Sequence, residues 1–160
     1  MINTDLFVQC ARCRLCEGAQ YQTIPTLCAG SLDAPILVIG QNPGEIKPND
    51  EHRNWWMHDL RQRNETLSWN EIEMWYRWDF GTSYGHEQLE RLFGLNWIST
   101  DDFLFTNAVK CRTKDNAKPS QEMITACRSW TKFLVKKRRA IILMGTIARQ
   151  QLLGEEEKKV

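Results

Sequence analysis

The chain has no apolar run near the ~20 residues that a membrane-crossing helix requires. Nor does it open with a basic stretch followed by an apolar one, since MINTDLFVQC has neither. Without a signal, its six cysteines argue against a secreted, disulfide-stapled scaffold. These absences read as a soluble cytoplasmic protein, with no membrane partner, whose thiols are reduced or metal-bound. Excess charge is also missing. The net charge of +1 excludes a molecule that is basic all over, although 26% of residues are charged. No internal repeat or low-complexity tract interrupts the chain.

A length of 160 residues suits one domain with a real core. Charge is unevenly spread. Lys132, Lys136, Lys137, Arg138 and Arg139 cluster late, while Lys110, Arg112, Lys114 and Lys118 surround Cys111. Such runs read either as a local basic face or as a solvated helix surface. Residues 1–30 suggest a short helix and a loop. ILVIG, residues 36–40, follows Pro35 and ends in GQNPG, the pattern of a buried strand feeding a tight turn. Residues 45–79 are polar yet carry Trp55, Trp56, Trp69, Trp75 and Trp78, and read as helical pieces joined by loops. GHEQLERLFG, residues 85–94, has Leu89, Leu92 and Phe93 at helical spacing and stops at Gly94. FLFTNAV, residues 103–109, is a second buried strand. Residues 120–135 form a helix with Ser120 as N-cap and Glu122 in the first turn. AIILMG, residues 140–145, is a third strand, and Thr146 to Leu153 a last helix. Alternating strands and helices indicate an α/β fold with a parallel sheet sandwiched by helices. Ligands in such sheets sit at the carboxyl ends of the strands, where GQNPG and Asn107 both fall.

Four cysteines form two separated pairs, Cys10 with Cys13 and Cys111 with Cys127. Four thiolates suit an iron–sulfur cluster or a structural zinc. Fifteen residues separate the second pair, too many for a zinc knuckle, whose paired ligands stand about two to four apart. Cys16 reads as an alternative ligand or, like Cys28, as a buried inert thiol. In GQNPG, Asn42 offers one amide that can orient water by a donor and an acceptor but is too weak a base to deprotonate it. Asn107 at a strand end is either a turn cap or an amide matched to the edge of a pyrimidine base. Lys110 and Arg112 flank Cys111, placed to contact phosphates or to balance a cluster's charge.

Together these segments resemble the family-4 uracil-DNA glycosylases, the iron–sulfur branch of that superfamily, from Cys10 to about Gly154. CARCRL is similar to the family's opening C-x2-C-R-L. FTNAVKCR is close to I-T-N-x-V-K-C-R, ACRSW matches the later cysteine, and IILMGTIARQQLLG resembles I-I-x-x-L-G-x-x-A. The resemblance implies a [4Fe–4S] cluster on Cys10, Cys13, Cys111 and Cys127. It implies that Asn107 reads a flipped uracil and that an aromatic stacks on it; backbone donors at Gln41, in the turn, are expected to help hold the base. RWDFGTSYG has the family's spacing from Phe80 to Gly85, so Phe80 is the candidate, with Trp55 or Trp56 as runner-up. Lys110 and Arg112 are the expected DNA contacts.

The chain departs from the family in three places. GQNPG stands where the family reads G-E-x-P-G. It is closer to the G-x-N-P-G of the mismatch-specific and single-strand-selective branches, which use that Asn to place the attacking water, so Asn42 is the expected catalytic residue. Gln41 is similar to the Gln of G-Q-D-P in the main uracil-DNA glycosylases. The Trp-rich stretch reads as an insertion within a single 1–160 domain. The family's closing H-P-S segment and wedge loop have no counterpart; His52, His58 and His86 all lie upstream of the second core strand. The expectation is a fold lacking its last strand. It is a monomeric DNA repair enzyme that hydrolyses the N-glycosidic bond of deaminated bases, slowly, and favours uracil in single-stranded or mismatched DNA. Two rival readings stay open: a catalytically degenerate iron–sulfur module that binds DNA or a partner, and a zinc-stabilised structural domain.

Overall fold

The computed structural model describes residues 27–42, 101–111 and 117–154 as continuous stretches, with residues 9, 10, 13, 15, 90, 91, 93, 94, 99 and 113 as separate positions. The described elements are β1 (Ala29–Gly30), β2 (Ile36–Gly40), β3 (Phe103–Asn107), α1 (Gln121–Val135), β4 (Ala140–Leu143) and α2 (Thr146–Leu153). They build a four-stranded sheet in the order β1-β3-β2-β4. β2 pairs in parallel with β3 on one side and with β4 on the other. This is the expected α/β arrangement.

β2 is central, and its composition follows from that position. A strand covered on both faces needs a continuous apolar run rather than an alternating one. Leu37, Val38 and Ile39 are all fully buried. Their neighbours in β3 are Leu104, Phe105 and Thr106, and in β4 Ile141, Ile142 and Leu143. β4 lies at the edge of the described sheet, and its residues are exposed to half-buried.

α1 starts where Ser120 predicts. The Ser120 hydroxyl accepts from the Met123 N–H at 3.3 Å, satisfying one of the donors that every helix start leaves open. Met123, Ile124, Cys127, Thr131 and Leu134 make its buried stripe, at the three-to-four-residue spacing of one helical face. α2 buries Ile147, Ala148 and Gln151, and packs against α1 and β2. At the amino end of the sheet, Arg138 closes the α1–β4 turn. Its Nε donates to the Leu134 carbonyl at 2.9 Å and a guanidinium nitrogen to the Ala34 carbonyl at 2.5 Å.

Three differences from the sequence reading stand out. β1 was not foreseen: two residues carry no periodicity, and the pairing to β3 is antiparallel. Gly30 makes it possible, since its φ of +97° suits glycine and a Cβ there would strike the Phe103 carbonyl. β3 ends at Asn107, two residues earlier than expected, although Ala108 and Val109 still donate to the Gly40 and Gln41 carbonyls at 2.8 and 2.9 Å. β4 likewise ends at Leu143. The expected 85–94 helix is helical at Glu90, Arg91 and Phe93, with Gly94 in a turn. Phe93 is exposed, with its ring 6.0 Å from that of Phe103. The Trp-rich stretch 45–79, with Trp55 and Trp56, lies outside the described residues. Among the described residues no helix is long and apolar enough to cross a membrane.

Candidate functional site

The parallel register sets Gly40 directly beside Asn107. The two strands therefore deliver their last residues to one place, at the carboxyl edge of the sheet. Gly40 has no side chain, and the Asn107 amide uses the space: a Cβ on Gly40 would lie 2.6 Å from Asn107 Oδ1. Gln41 and Asn42 follow at once on the β2 side. Gln41 Nε2 donates to Asn42 Oδ1 at 3.0 Å, and Asn42 Nδ2 donates to Thr113 Oγ1 at 3.2 Å. The Thr113 hydroxyl donates onward to the Ala117 carbonyl at 2.6 Å. Gln41, Asn42 and Asn107 are each half-buried, so these polar side chains sit at the edge of the core without being sealed in it.

The chain that leaves β3 is fixed from below. Gln151, buried in α2, donates through Nε2 to the Ala108 carbonyl at 2.5 Å and the Ile124 carbonyl at 3.1 Å. This holds the residue after Asn107 against both helices. Neither Thr113 nor Gln151 was singled out from sequence. No sequence pattern marks Thr113. Gln151 could have been found, because it falls four residues after Ile147 on the buried face of α2.

Cys13, Cys111 and Cys127 all lie within electrostatic reach of Cys10. The Cys13 N–H donates to the Cys10 carbonyl at 3.0 Å, a turn that sets the first pair side by side. Cys10, Cys111 and Cys127 are buried and Cys13 is half-buried. Burial pushes the Cys10 thiol well above its ordinary range; Lys110 pulls it down, while Cys127, Cys111 and Cys13 push it up further. None of the five described cysteines is in a disulfide. Among the described residues, no three His, Cys, Asp or Glu side chains close on a point as the ligands of one metal ion do.

Lys110 stands between the two groups. The expectation that it contacts DNA phosphates is corrected by its placement, since the residue is 1% exposed. Its ammonium donates to Thr106 Oγ1 at 3.0 Å, to Thr131 Oγ1 at 3.1 Å and to the Asn107 carbonyl. Burial lowers its pKa, while the nearby Cys127, Cys10, Cys28 and Cys111 act in the other direction. A buried cation is costly unless an anion stands near it, and cysteine sulfurs would supply that charge as ligands of a metal group. The Lys110 backbone N–H also donates to Cys127 Sγ at 3.4 Å, a contact that favours sulfur in its anionic or metal-bound form. Four cysteine sulfurs have the donor chemistry of a thiolate-bound metal group, although among the described residues they do not stand at ligand spacing.

Phe80 and Arg112 lie outside the described residues. The late basic run is placed at the other end of the sheet from Asn107: the Arg139 N–H donates to the Pro35 carbonyl at 2.8 Å, and β4 begins beside Ile36. Lys132, Lys136, Lys137 and Arg139 are exposed there, a strand's length or about 15 Å from the asparagines.

The sequence profile of the uracil DNA glycosylase superfamily matches residues 28–159, well over half of the chain. The chain belongs to that superfamily. No individually characterised protein matches it. The superfamily match takes in β1 to α2, and with them Gln41, Asn42, Asn107, Cys111 and Cys127; Cys10 and Cys13 precede it. Membership in the uracil DNA glycosylase superfamily supports a DNA glycosylase-like function with DNA as the substrate.

Proposed function

We propose that the protein excises uracil from DNA by hydrolysing the N-glycosidic bond, working as a monomer on an iron–sulfur-stabilised frame. The observation that carries this reading is the placement of the Asn107 amide beside Gly40, directly before the hydrogen-bonded Gln41–Asn42 pair, at adjoining strand ends, within the superfamily match. A target nucleotide must first leave the stack. In the pocket, the Asn107 amide offers a donor and an acceptor side by side, which complements the edge of uracil. Backbone donors at Gln41 hold the base from the other side, and Phe80 stacks on its face. As the bond to the sugar breaks, negative charge gathers on the uracil and positive charge on the sugar. Asn42 is too weak a base to generate hydroxide, so its role is to orient a water that adds to the sugar cation. Its own amide is steadied by Gln41 and Thr113.

Cys10, Cys13, Cys111 and Cys127 would hold a [4Fe–4S] cluster. Such a cluster supplies a covalent tie between the N-terminal segment, the turn after β3 and α1. Arg112 is assigned to backbone phosphates. Uracil in single strands or mismatches is the favoured target, because unstacking costs least there.

The test is uracil release from a single-stranded oligonucleotide under single-turnover conditions. The parent protein should yield free uracil and alkali-labile sites. Asn42→Ala should lose about 10²–10³ in rate, the usual cost of one oriented polar group at a reacting centre. It should still bind the same strand. Equal rates for parent and Asn42→Ala would remove Asn42 from the chemistry.

A further inference from the structure

Among the described residues Lys110 is the largest of the fully buried side chains, and no function assigned so far explains it. An ammonium has three protons, and here each has an acceptor: Thr106 Oγ1 on β3, Thr131 Oγ1 on α1, and the Asn107 carbonyl. The two hydroxyls are themselves anchored. Thr106 donates to the Leu27 carbonyl at 2.5 Å and Thr131 to the Cys127 carbonyl at 3.5 Å. The backbone N–H of the same lysine is on Cys127 Sγ. One residue therefore grips both the main chain of Asn107 and a sulfur of the cysteine group. The Asn107 amide occupies the space that a side chain at position 40 would fill, and the hold on its main chain sets the point from which that amide reaches there.

We propose that Lys110 is a positioning residue, which sets the Asn107 amide for base reading and makes that setting depend on the cysteine group. This rests on the uracil reading above. A neutral side chain of similar length would fill the space but could not hold the Asn107 carbonyl. Loss of the Cys127 sulfur would remove the acceptor of the Lys110 backbone N–H and loosen the same grip from the main-chain side.

The experiment measures the affinity of the intact protein for two single-stranded oligonucleotides that differ by one uracil or thymine. Variants are Lys110→Met, Thr131→Val and, as the conservative control, Thr131→Ser. The parent should prefer the uracil strand. Lys110→Met should lose about tenfold in that preference, the scale of one charge-assisted hydrogen bond, while its affinity for the thymine strand stays unchanged. The Thr131 hydroxyl bonds the Lys110 ammonium and the Cys127 carbonyl; Thr131→Val should lose preference several-fold, and Thr131→Ser should keep it. Should Lys110→Met fail to fold, the Thr131 pair decides by the same comparison. A parent that prefers uracil, with folded variants that prefer it equally, overturns the Lys110 inference alone. A parent with no preference overturns the uracil reading and this inference with it.

Discussion

Gly40→Ala is the sharpest probe of how the site is built. The added methyl would lie 2.6 Å from Asn107 Oδ1, 0.8 Å inside the 3.4 Å at which ordinary contact begins, and 3.2 Å from Phe105 Cζ. Gly40 has no positive φ, so alanine meets no backbone strain, and the conflict is between side chains. The flexible partner is the Asn107 amide, which must swing away. A displacement of this size, near 1 Å at a group that positions substrate, costs about 10²-fold in rate. The fold should survive, because overpacking of this kind costs about 1–3 kcal/mol and lowers Tm by several degrees in a chain of this length. Single-turnover uracil release and thermal melting would be measured together. A double-mutant cycle adds the decisive control. Once Asn107→Ala has removed the amide, Gly40→Ala should cost nothing more in rate, since there is no amide left to displace. Independent, multiplying losses in the double variant would refute the seating of Asn107 over Gly40. An unimpaired single variant would refute the link between that amide and catalysis.

Other expectations follow from the same geometry. Protein purified anaerobically should be brown, with about four irons per chain; Cys111→Ser should bleach it and lower its melting temperature, and stoichiometric zinc without iron in native-source protein would count against the cluster. Ser120→Ala removes the cap on the Met123 N–H and should cost about 1 kcal/mol in urea unfolding, with uracil release unchanged. Arg138→Met releases the Ala34 and Leu134 carbonyls at the end of the sheet away from the asparagines; it should destabilise by about 1–3 kcal/mol while leaving the uracil preference intact, and a loss of preference larger than the loss of stability would show that the two ends are coupled.

Much of the architecture was written in the sequence because burial imposes composition. ILVIG had to be a strand covered on both faces, and it occupies the centre of the sheet. Ser120 marked the start of α1 to the residue. β1 was illegible because two residues form no pattern, and its pairing depends on a glycine whose need is set by a strand distant in the chain. At the site, Asn42 and Asn107 could be picked from their strand-end positions, and the structure brings them to one edge. Their supports could not be picked. Thr113 and Gln151 act through contacts that only the folded chain creates. Lys110 shows how charge misleads: beside Arg112 in a basic segment it read as a phosphate contact or a cluster's counter-charge, and its burial leaves only the inward role.

The central claim is that the asparagine edge at the ends of β2 and β3 removes uracil from DNA. The most direct measurement is the amount of free uracil released by the purified, metal-replete chain from a single-stranded oligonucleotide with one uracil, in excess enzyme. The account predicts one uracil and one abasic site per strand, with release slowed by about 10²-fold or more in Asn42→Ala and slower from paired than from unpaired uracil. A parent protein that binds the strand but releases no uracil from single-stranded, mismatched or paired DNA would contradict it.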